Sequence, residues 1–369
     1  VSTPRLALVH ERLTEVAGSE NVVEQLNRQW PEARVHVPIA RPEGIPAGLT
    51  HAPVTTWLDR LYRRSGQGSY APLLPLLPGS FRRMPLREAD VVITSHHAFA
   101  TQVVHATDAP VIAYVHSPAR WAWHAELRAG EAGGRLGELA LTALAARTRR
   151  QELAAAPRLA HVVANSTAVA ERVQQCWNRT AEVVYPPVNT SYYHPDPAVE
   201  REDFFLLAGR LVPYKRPDLA VRAAEVAGVR LVVAGDGRFL QRCQELAGPR
   251  TTFAGRVSDA ALRDLHRRSR ALVMPGVEDF GIVPVEAMAC GSPVLALGSG
   301  GALDTVLPQV SGQLVAAGGD DQVVAALAEA MTGFRAGDYD PQVVRKHAER
   351  FSEDVFRTSM RDVVTRVTR

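Results

Sequence analysis

The chain has 369 residues, 46% hydrophobic and 22% charged, with a formal net charge of +3. That is the composition of an ordinary globular protein, long enough for two domains with a core each, and its dispersed basic residues exclude a nucleic-acid surface. Three scattered cysteines, Cys176, Cys243 and Cys290, have no metal-ligand spacing and exclude a disulfide framework, so a reducing compartment is expected.

In chain order, short β-branched runs alternate with Ala-, Leu- and Arg-rich stretches. The first half has runs at 5–10 (RLALVH), 89–96 (ADVVITSH), 110–117 (PVIAYVHS), 161–166 (HVVANS) and 181–188 (AEVVYPPV). The second half has them at 204–211 (FFLLAGRL), 229–237 (VRLVVAGDG), 251–257 (TTFAGRV), 270–276 (RALVMPG) and 292–300 (SPVLALGSG). Continuous apolar runs suit parallel strands covered on both faces, and their alternation with helices predicts an α/β protein with parallel sheets. The polar, proline-punctuated stretch 189–204 marks a boundary after which the rhythm restarts. We therefore expect an N-domain over 1–195, a C-domain over 196–350, and a helix over 351–369 docking back on the N-domain through Val355, Phe356, Met360, Val363, Val364 and Val367. Residues 1–13 lack a signal-peptide pattern, and no uncharged apolar stretch reaches the roughly 20 residues of a membrane span. A cytoplasmic protein is expected, with contact at the inner membrane face left open.

In open parallel sheets ligands sit beyond the carboxyl ends of the strands, so the strand ends carry the chemistry. At 209–218 (GRLVPYKRPD) Arg210 and Lys215 flank a turn before Pro217, which suits the first turn of a helix. They read either as a phosphate clamp or as solvated charge at a helix start. Gly235 and Gly237 in AGDG form a tight turn, too short for a dinucleotide fingerprint. Arg256 and Val257 end the next run, with Ser258 as a helix N-cap. The most specific stretch is 276–296 (GVEDFGIVPVEAMACGSPVLA), where Glu278 and Glu286 bracket Phe280 and Gly281. Glycine there lets backbone amides approach an anion or sugar, a helix starting near Pro284 adds its positive end, and Glu286 falls in its first turn. Carboxylates accept paired hydrogen bonds, so Glu286 suits a ribose diol and Glu278 sugar hydroxyls; the alternative is two unrelated acids.

Together these motifs resemble the retaining sugar-nucleotide transferases of glycosyltransferase family 4, which have the GT-B fold: two Rossmann-like domains facing a central cleft. The resemblance covers most of the second domain, through GRLVPYKRPD, VVAGDG, TFAGRV, EDFGIVPVEAMACGSPVLA and GSGGALDTV. It implies that Arg210 and Lys215 hold the donor phosphates, that Glu278 orients the sugar, and that Glu286 holds the donor ribose. Phe280, Gly281, Ile282 and Val283 would form the donor-contacting turn, with the base near Arg256 and Val257. In the first domain Gly18 and Ser19 match the family's glycine-rich loop, although Ala-Gly-Ser replaces the common double glycine, and His116 in YVHSPARWAWH would face the donor sugar. Asn165 and Ser166 form a strand-end turn, and Pro186 and Pro187 shape the path to the hinge.

The resemblance implies sugar transfer from a nucleoside diphosphate with retention, by same-face attack in which the leaving phosphate helps take the acceptor's proton. Glu278 is not cast as a nucleophile. No metal or other cofactor is expected: the Asp-x-Asp at 338–340 reads as a polar turn, and cations stabilise the leaving group instead. VHSPARWAW and EDFGIVPVEA look most like mannosyltransferases that use GDP-mannose, with a UDP-sugar as the alternative. The implied partners are the nucleotide sugar and a hydroxyl acceptor (glycan, glycolipid or small metabolite). Residues 57–88 mix Trp57, Tyr62, Leu73, Leu74, Leu76 and Leu77 with six arginines, which reads as a partly buried helix pair ahead of a membrane-facing segment. Trp121, Trp123 and His124 stack on an acceptor or simply pack. A sugar-binding receptor and a sugar-nucleotide epimerase are the rival classes; neither transfers a sugar to an acceptor.

Overall fold

The computed structural model describes residues 4–66, 68–128 and 134–369. Thirteen strands are described: β1 (Leu6–His10), β2 (Val35–Val37), β3 (Val54–Thr55), β4 (Val91–His96), β5 (Val111–Val115), β6 (His161–Ala164), β7 (Glu182–Val183), β8 (Phe205–Ala208), β9 (Leu231–Ala234), β10 (Thr251–Gly255), β11 (Ala271–Met274), β12 (Val294–Leu297) and β13 (Gly312–Val315). They form two all-parallel sheets, ordered β3-β2-β1-β4-β5-β6-β7 and β10-β9-β8-β11-β12-β13. The strands β1, β4, β5, β8, β11 and β12 are almost entirely buried, which is why their sequences run apolar without alternation.

The residues divide into two compact units, Val1–Pro187 with Phe356–Arg369, and Val188–Val355. The division after Pro187 falls eight residues ahead of the expected boundary. The reason is that 188–195 is bonded into the second unit: the Val188 amide donates to the Phe351 carbonyl (2.9 Å), and Arg345 donates to the Tyr193 carbonyl (3.2 Å). The expected switch at 350/351 likewise moves to 355/356. Phe351 stays with the second unit, whereas Phe356, Met360, Val363 and Val364 join Leu8, Val23, Leu26 and Tyr114 in one core on the first sheet.

The run 181–188 shrinks to the two-residue β7, since Pro186 and Pro187 cannot donate to a ladder. The strands β2, β3 and β13 had no sequence expectation: the first two span three and two residues, too short for a pattern, and β13 opens on glycine. In 57–88, Leu58, Tyr62, Leu77 and Phe81 are buried in the other core of the first unit, between the helix Trp57–Arg64 and the turns that follow, while Trp57 stays exposed. No helix among the described residues is long and apolar enough to cross a membrane.

Candidate active site

In the second sheet β8 and β11 are neighbours, but the chain leaves them in opposite directions, toward β9 and toward β12. The loops after them diverge, and such switch points are where open parallel sheets bind ligands. The loop after β8 carries Gly209 (φ +126°), Arg210 and the turn Pro213–Lys215; the loop after β11 carries Gly276, Glu278 and Gly281. Across this point Lys215 Nζ meets Glu278 Oε1 at 2.7 Å, with the side chains 24% and 19% exposed. Two residues 63 positions apart, singled out separately in the sequence, thus form one ion pair.

Close backbone packing builds the pair. A Cβ on Gly276 would run into the backbone of Lys215, and a Cβ on Gly300 or Gly301 into the backbone of Glu278 or Phe280. The Gly301 amide donates to the Glu278 carbonyl at 2.9 Å. Gly235 and Gly237 give the loop after β9 the same closeness to Gly209 and Leu211. Their role is close approach rather than a dinucleotide fingerprint. Arg216, which the sequence did not single out, holds the loop from the other side. Its backbone is left-handed (φ +51°), a conformation that costs a non-glycine residue about 1–2 kcal/mol. Bonds from its guanidinium to Asp218 (3.0 Å) and Asp320 (2.5 Å) offset that cost. The helix Pro217–Ala227 then opens on Pro217 as expected.

The helix after Gly281 corrects one expectation. It spans Ile282–Ala289 with Gly281 (φ +92°) as its cap, so it starts two residues before Pro284. Glu286 therefore lies in the second turn and does not complement the helix end. The first-turn amides of Ile282 and Val283 remain the positive terminus at the site. Desolvation, with Asp259 adding to it, pushes the Glu286 carboxyl up to about 7 against a hydrogen bond from Tyr193. The sequence reading had not singled out Tyr193. Phe280 is buried, and Arg210 is exposed at the end of β8. Arg256 and Val257 follow β10, at the edge of the sheet with β9 between them and β8, away from the Lys215–Glu278 pair. Ser258 caps the helix Asp259–Arg268, accepting the Ala261 amide at 3.3 Å. Asp340 of the Asp-x-Asp caps another helix, accepting from the Gln342 amide at 2.8 Å.

In the first sheet the switch point lies between β1 and β4. His10 and Ser95 are Cα partners on these strands, and Ser95 pairs with Tyr114 on β5. His116 lies two residues beyond Tyr114 and so shares its face. The result is a buried polar chain: His116 Nε2 to Ser95 Oγ (2.8 Å), Ser95 Oγ to His10 Nδ1 (3.0 Å), and His10 Nε2 to Glu20 Oε1 (3.1 Å). Glu20 belongs to the helix Gly18–Gln29, which starts at the predicted Gly18 and Ser19. Its other oxygen accepts from the Ala17 amide (3.0 Å) and the Ser19 hydroxyl (2.9 Å). Burial opposes charge on Glu20, but the bonds and charge from His10 and the Ser19 hydroxyl outweigh it and hold its pKa down to about 2. Burial, with His10 nearby, lowers His116 to about 3, so its ring is neutral. His97 stacks on it, with ring centres 4.4 Å apart and planes 9° from parallel.

A second buried carboxylate sets the loop that carries His97. Glu11 accepts the backbone amides of His97, Ala98, Phe99 and Ala100 at 2.7–3.0 Å. Trp123 donates its indole N–H to buried Glu152 (2.5 Å), and Trp121 packs on Phe99, so both tryptophans serve the core. Asn165 and Ser166 follow β6, and Ser166 caps the next helix, accepting the Val169 amide at 3.1 Å. Of this network, sequence reasoning found His116 and Ser19. A signal for the rest exists, since β1 and β4 end in histidine and another histidine follows β4 and β5: LVH, TSHH and YVH.

Known proteins resemble the chain along nearly its whole length. The family "Glycosyltransferase Family 4" matches residues 16–192, and "Glycosyl transferases group 1" matches residues 193–339. A D-inositol 3-phosphate glycosyltransferase of Mycobacteroides abscessus is 33% identical over 192 residues, which take in 46% of this chain and 43% of that protein. A GDP-mannose-dependent alpha-(1-6)-phosphatidylinositol monomannoside mannosyltransferase of Mycobacterium tuberculosis is 34% identical over 176 residues, 40% of this chain and 46% of that one. The chain thus spans less than half the length of these relatives. Among solved structures, Anabaena Alr3699/HepE in complex with UDP superposes with a TM-score of 0.73 at 18% identity, covering 98% of this chain and 99% of that one. Sucrose-phosphate synthase from Thermosynechococcus elongatus gives 0.74 at 18% identity, with 99% of each chain covered. At that identity the likeness is one of fold.

Proposed function

The chain belongs to the family 4 glycosyltransferases, and from that premise we propose that it moves mannose from GDP-mannose to an acceptor hydroxyl with retention. The observation that carries the proposal is the Lys215–Glu278 pair at the switch point of the second sheet. The bond from the sugar's anomeric carbon to the diphosphate breaks, and charge grows on the departing phosphate. Lys215, Arg210 and the first-turn amides of Ile282 and Val283 stabilise that charge. A preorganised donor of this kind is worth about 3–4 kcal/mol of barrier. The acceptor oxygen bonds to the same face, and its proton passes to a departing phosphate oxygen. Glu278 fixes the Lys215 ammonium and orients the sugar. Glu286 accepts from the ribose diol, Phe280 and Gly281 shape the turn, and Arg256 and Val257 border the base. By likeness to the family, we also assign Gly18 and Ser19 to the donor phosphate and His116 to a sugar hydroxyl. No metal takes part, because fixed cations and amides do its work.

GDP-mannose is favoured by the Mycobacterium tuberculosis relative, a GDP-mannose-dependent mannosyltransferase. The second reading, a UDP-sugar donor, is supported by the UDP-bound Anabaena structure of the same fold. Thermal melting with GDP, UDP or ADP in excess EDTA tests both, since a ligand that binds only the native state raises the midpoint. The expected result is a rise with GDP, followed by transfer of mannose that EDTA leaves unchanged. A rise with UDP alone would move the donor to the second reading, and no rise with any nucleotide would defeat both.

A further inference from the structure

We propose that Arg12, with Arg41, forms an anion subsite at the carboxyl edge of the first sheet, and that the acceptor carries a phosphate monoester there. The inference deepens the proposed function by naming the acceptor class, and it rests on that function's transfer to a hydroxyl.

The two arginines flank one short pairing. Beyond β1, Leu13 bridges to Ala40 beyond β2, and the Arg41 amide donates to the Leu13 carbonyl at 2.7 Å. Both guanidiniums reach the same segment, 62–70. That of Arg12 lies over the Tyr70 ring, 4.4 Å from its centre, and that of Arg41 lies 5.3 Å from the centre of the Tyr62 ring. The Gly68 carbonyl accepts from Arg41 at 2.6 Å and from the Tyr62 hydroxyl at 3.2 Å. The aromatic faces thus hold both cations in place without neutralising them.

What the cations lack is an acid. Arg12 is half-buried, and among the described residues it makes no hydrogen bond or ion pair. Arg41 has the exposed Glu43 at 3.8 Å, and its buried Nε has no partner among the described residues. The nearby carboxylates are committed elsewhere: Glu11 to four backbone amides, and Glu20 to His10, Ser19 and the Ala17 amide. A partly buried charge without a counter-ion is a standing cost that an anionic ligand removes. Arg12 also lies close enough to the His97 ring for its charge to act there, behind burial and the neighbouring histidines, in holding that imidazole well below its ordinary pKa. The cation therefore stands by the β1/β4 switch point, where an open parallel sheet takes its ligand. A guanidinium fork matches phosphate or carboxylate oxygens. Two such cations beside one exposed acid suit a phosphate monoester, with nearly two charges and three acceptor oxygens, better than a singly charged carboxylate.

The test uses the full chain labelled with 15N-arginine, the Arg12 Nε–H resonance being identified by its loss in Arg12→Lys. Inorganic phosphate and acetate are titrated separately at constant ionic strength. A saturable shift of the Arg12 resonance is expected with phosphate, at a midpoint about tenfold below that for acetate. Read on the Arg41 resonance, the phosphate midpoint is expected to rise about 10–100-fold in Arg12→Gln and to recover in part in Arg12→Lys. An Arg12 resonance that only drifts linearly with phosphate overturns the subsite, and a tighter midpoint for acetate overturns the phosphate assignment. Transfer from GDP-mannose is then measured to glycerol, glucose and inositol and to a phosphate monoester of each. The esters are expected to be preferred about tenfold or more in kcat/KM, a margin that Arg12→Gln erases. Equal transfer to free and phosphorylated members overturns the acceptor class. Vesicles bearing phosphatidic acid separate a lipid monoester, which sediments the wild type but not Arg12→Gln, from a free one, which leaves both in solution. Phosphate bound at Arg12 with no melting response to any nucleotide would defeat the donor reading and leave the subsite standing.

Discussion

At the scale of single residues, Lys215 and Glu278 carry the proposal. Lys215→Ala removes the cation aimed at the leaving phosphate, and turnover is expected to fall about 10²–10³-fold. A circular-dichroism melt should show the fold surviving, because the pair is partly solvated and exposed pairs contribute little. Lys215→Arg is expected to restore little, since a planar fork does not reproduce a compact ammonium in that space. Glu286 makes a pH prediction. Its carboxyl is raised from 4.5 to about 7, so the folded chain holds the proton more tightly than the unfolded one. The stability this gives is full below the unfolded value and is lost as pH rises through about 7. The ionised form accepts hydroxyls best, so donor KM should drop over the same range. Glu286→Gln is expected to flatten both curves: melting points that no longer decline toward neutral pH, with a raised KM that ignores pH. Curves parallel to the wild type would take Glu286 out of the ribose role.

At the scale of elements, the second-unit site is a stack of loops that only glycine permits. Gly276→Ala sets a methyl against the Lys215 backbone and must push the two loops apart. Near-attack geometry is lost with displacements of about 1 Å, at a cost of about 10²-fold. The variant is expected to lose kcat/KM to that extent while melting within a few degrees of wild type, measured by steady-state transfer beside calorimetry. Wild-type kinetics would mean that the loops do not set the site. The same stack shows why helix limits were harder to read than strands. Pro284 looked like a helix start, yet Gly281 in a left-handed conformation caps the helix three residues earlier. Proline is tolerated throughout the first turn, so its position bounds a start without fixing it. Short edge strands such as β3 draw their existence from the neighbour they pair with, and two residues carry no periodicity.

At the scale of the whole molecule, the chain leaves the first unit after Pro187 and returns to it at Phe356. Phe356 is 1% exposed, its ring centre 5.6 Å from that of Tyr114 in an edge-to-face contact, and Tyr114 bonds the Val184 carbonyl at 3.0 Å. Phe356→Ala is expected to cost the first unit about 3–5 kcal/mol. Denaturant melts followed by hydrogen exchange should show the loss in β1, β4 and β5 and leave β8 to β13 protected. A uniform loss would mean that the units unfold together.

The sequence by itself determined the α/β class, the long strands and the family, because buried parallel strands need continuous apolar runs and a glycine turn between two acids at fixed spacing is local information. It also named both ends of the Lys215–Glu278 pair, though not that they touch. Only the tertiary structure decided that, since the pair depends on β8 and β11 lying side by side with their loops in contact at Gly276. The same holds for Glu20 on the helix Gly18–Gln29, His10 on β1, Ser95 on β4 and His116 just after β5. Apart from His116, each is an unremarkable polar residue in its own stretch of chain. The register of β1, β4 and β5 puts them within hydrogen-bond reach, and burial keeps water from competing for those bonds.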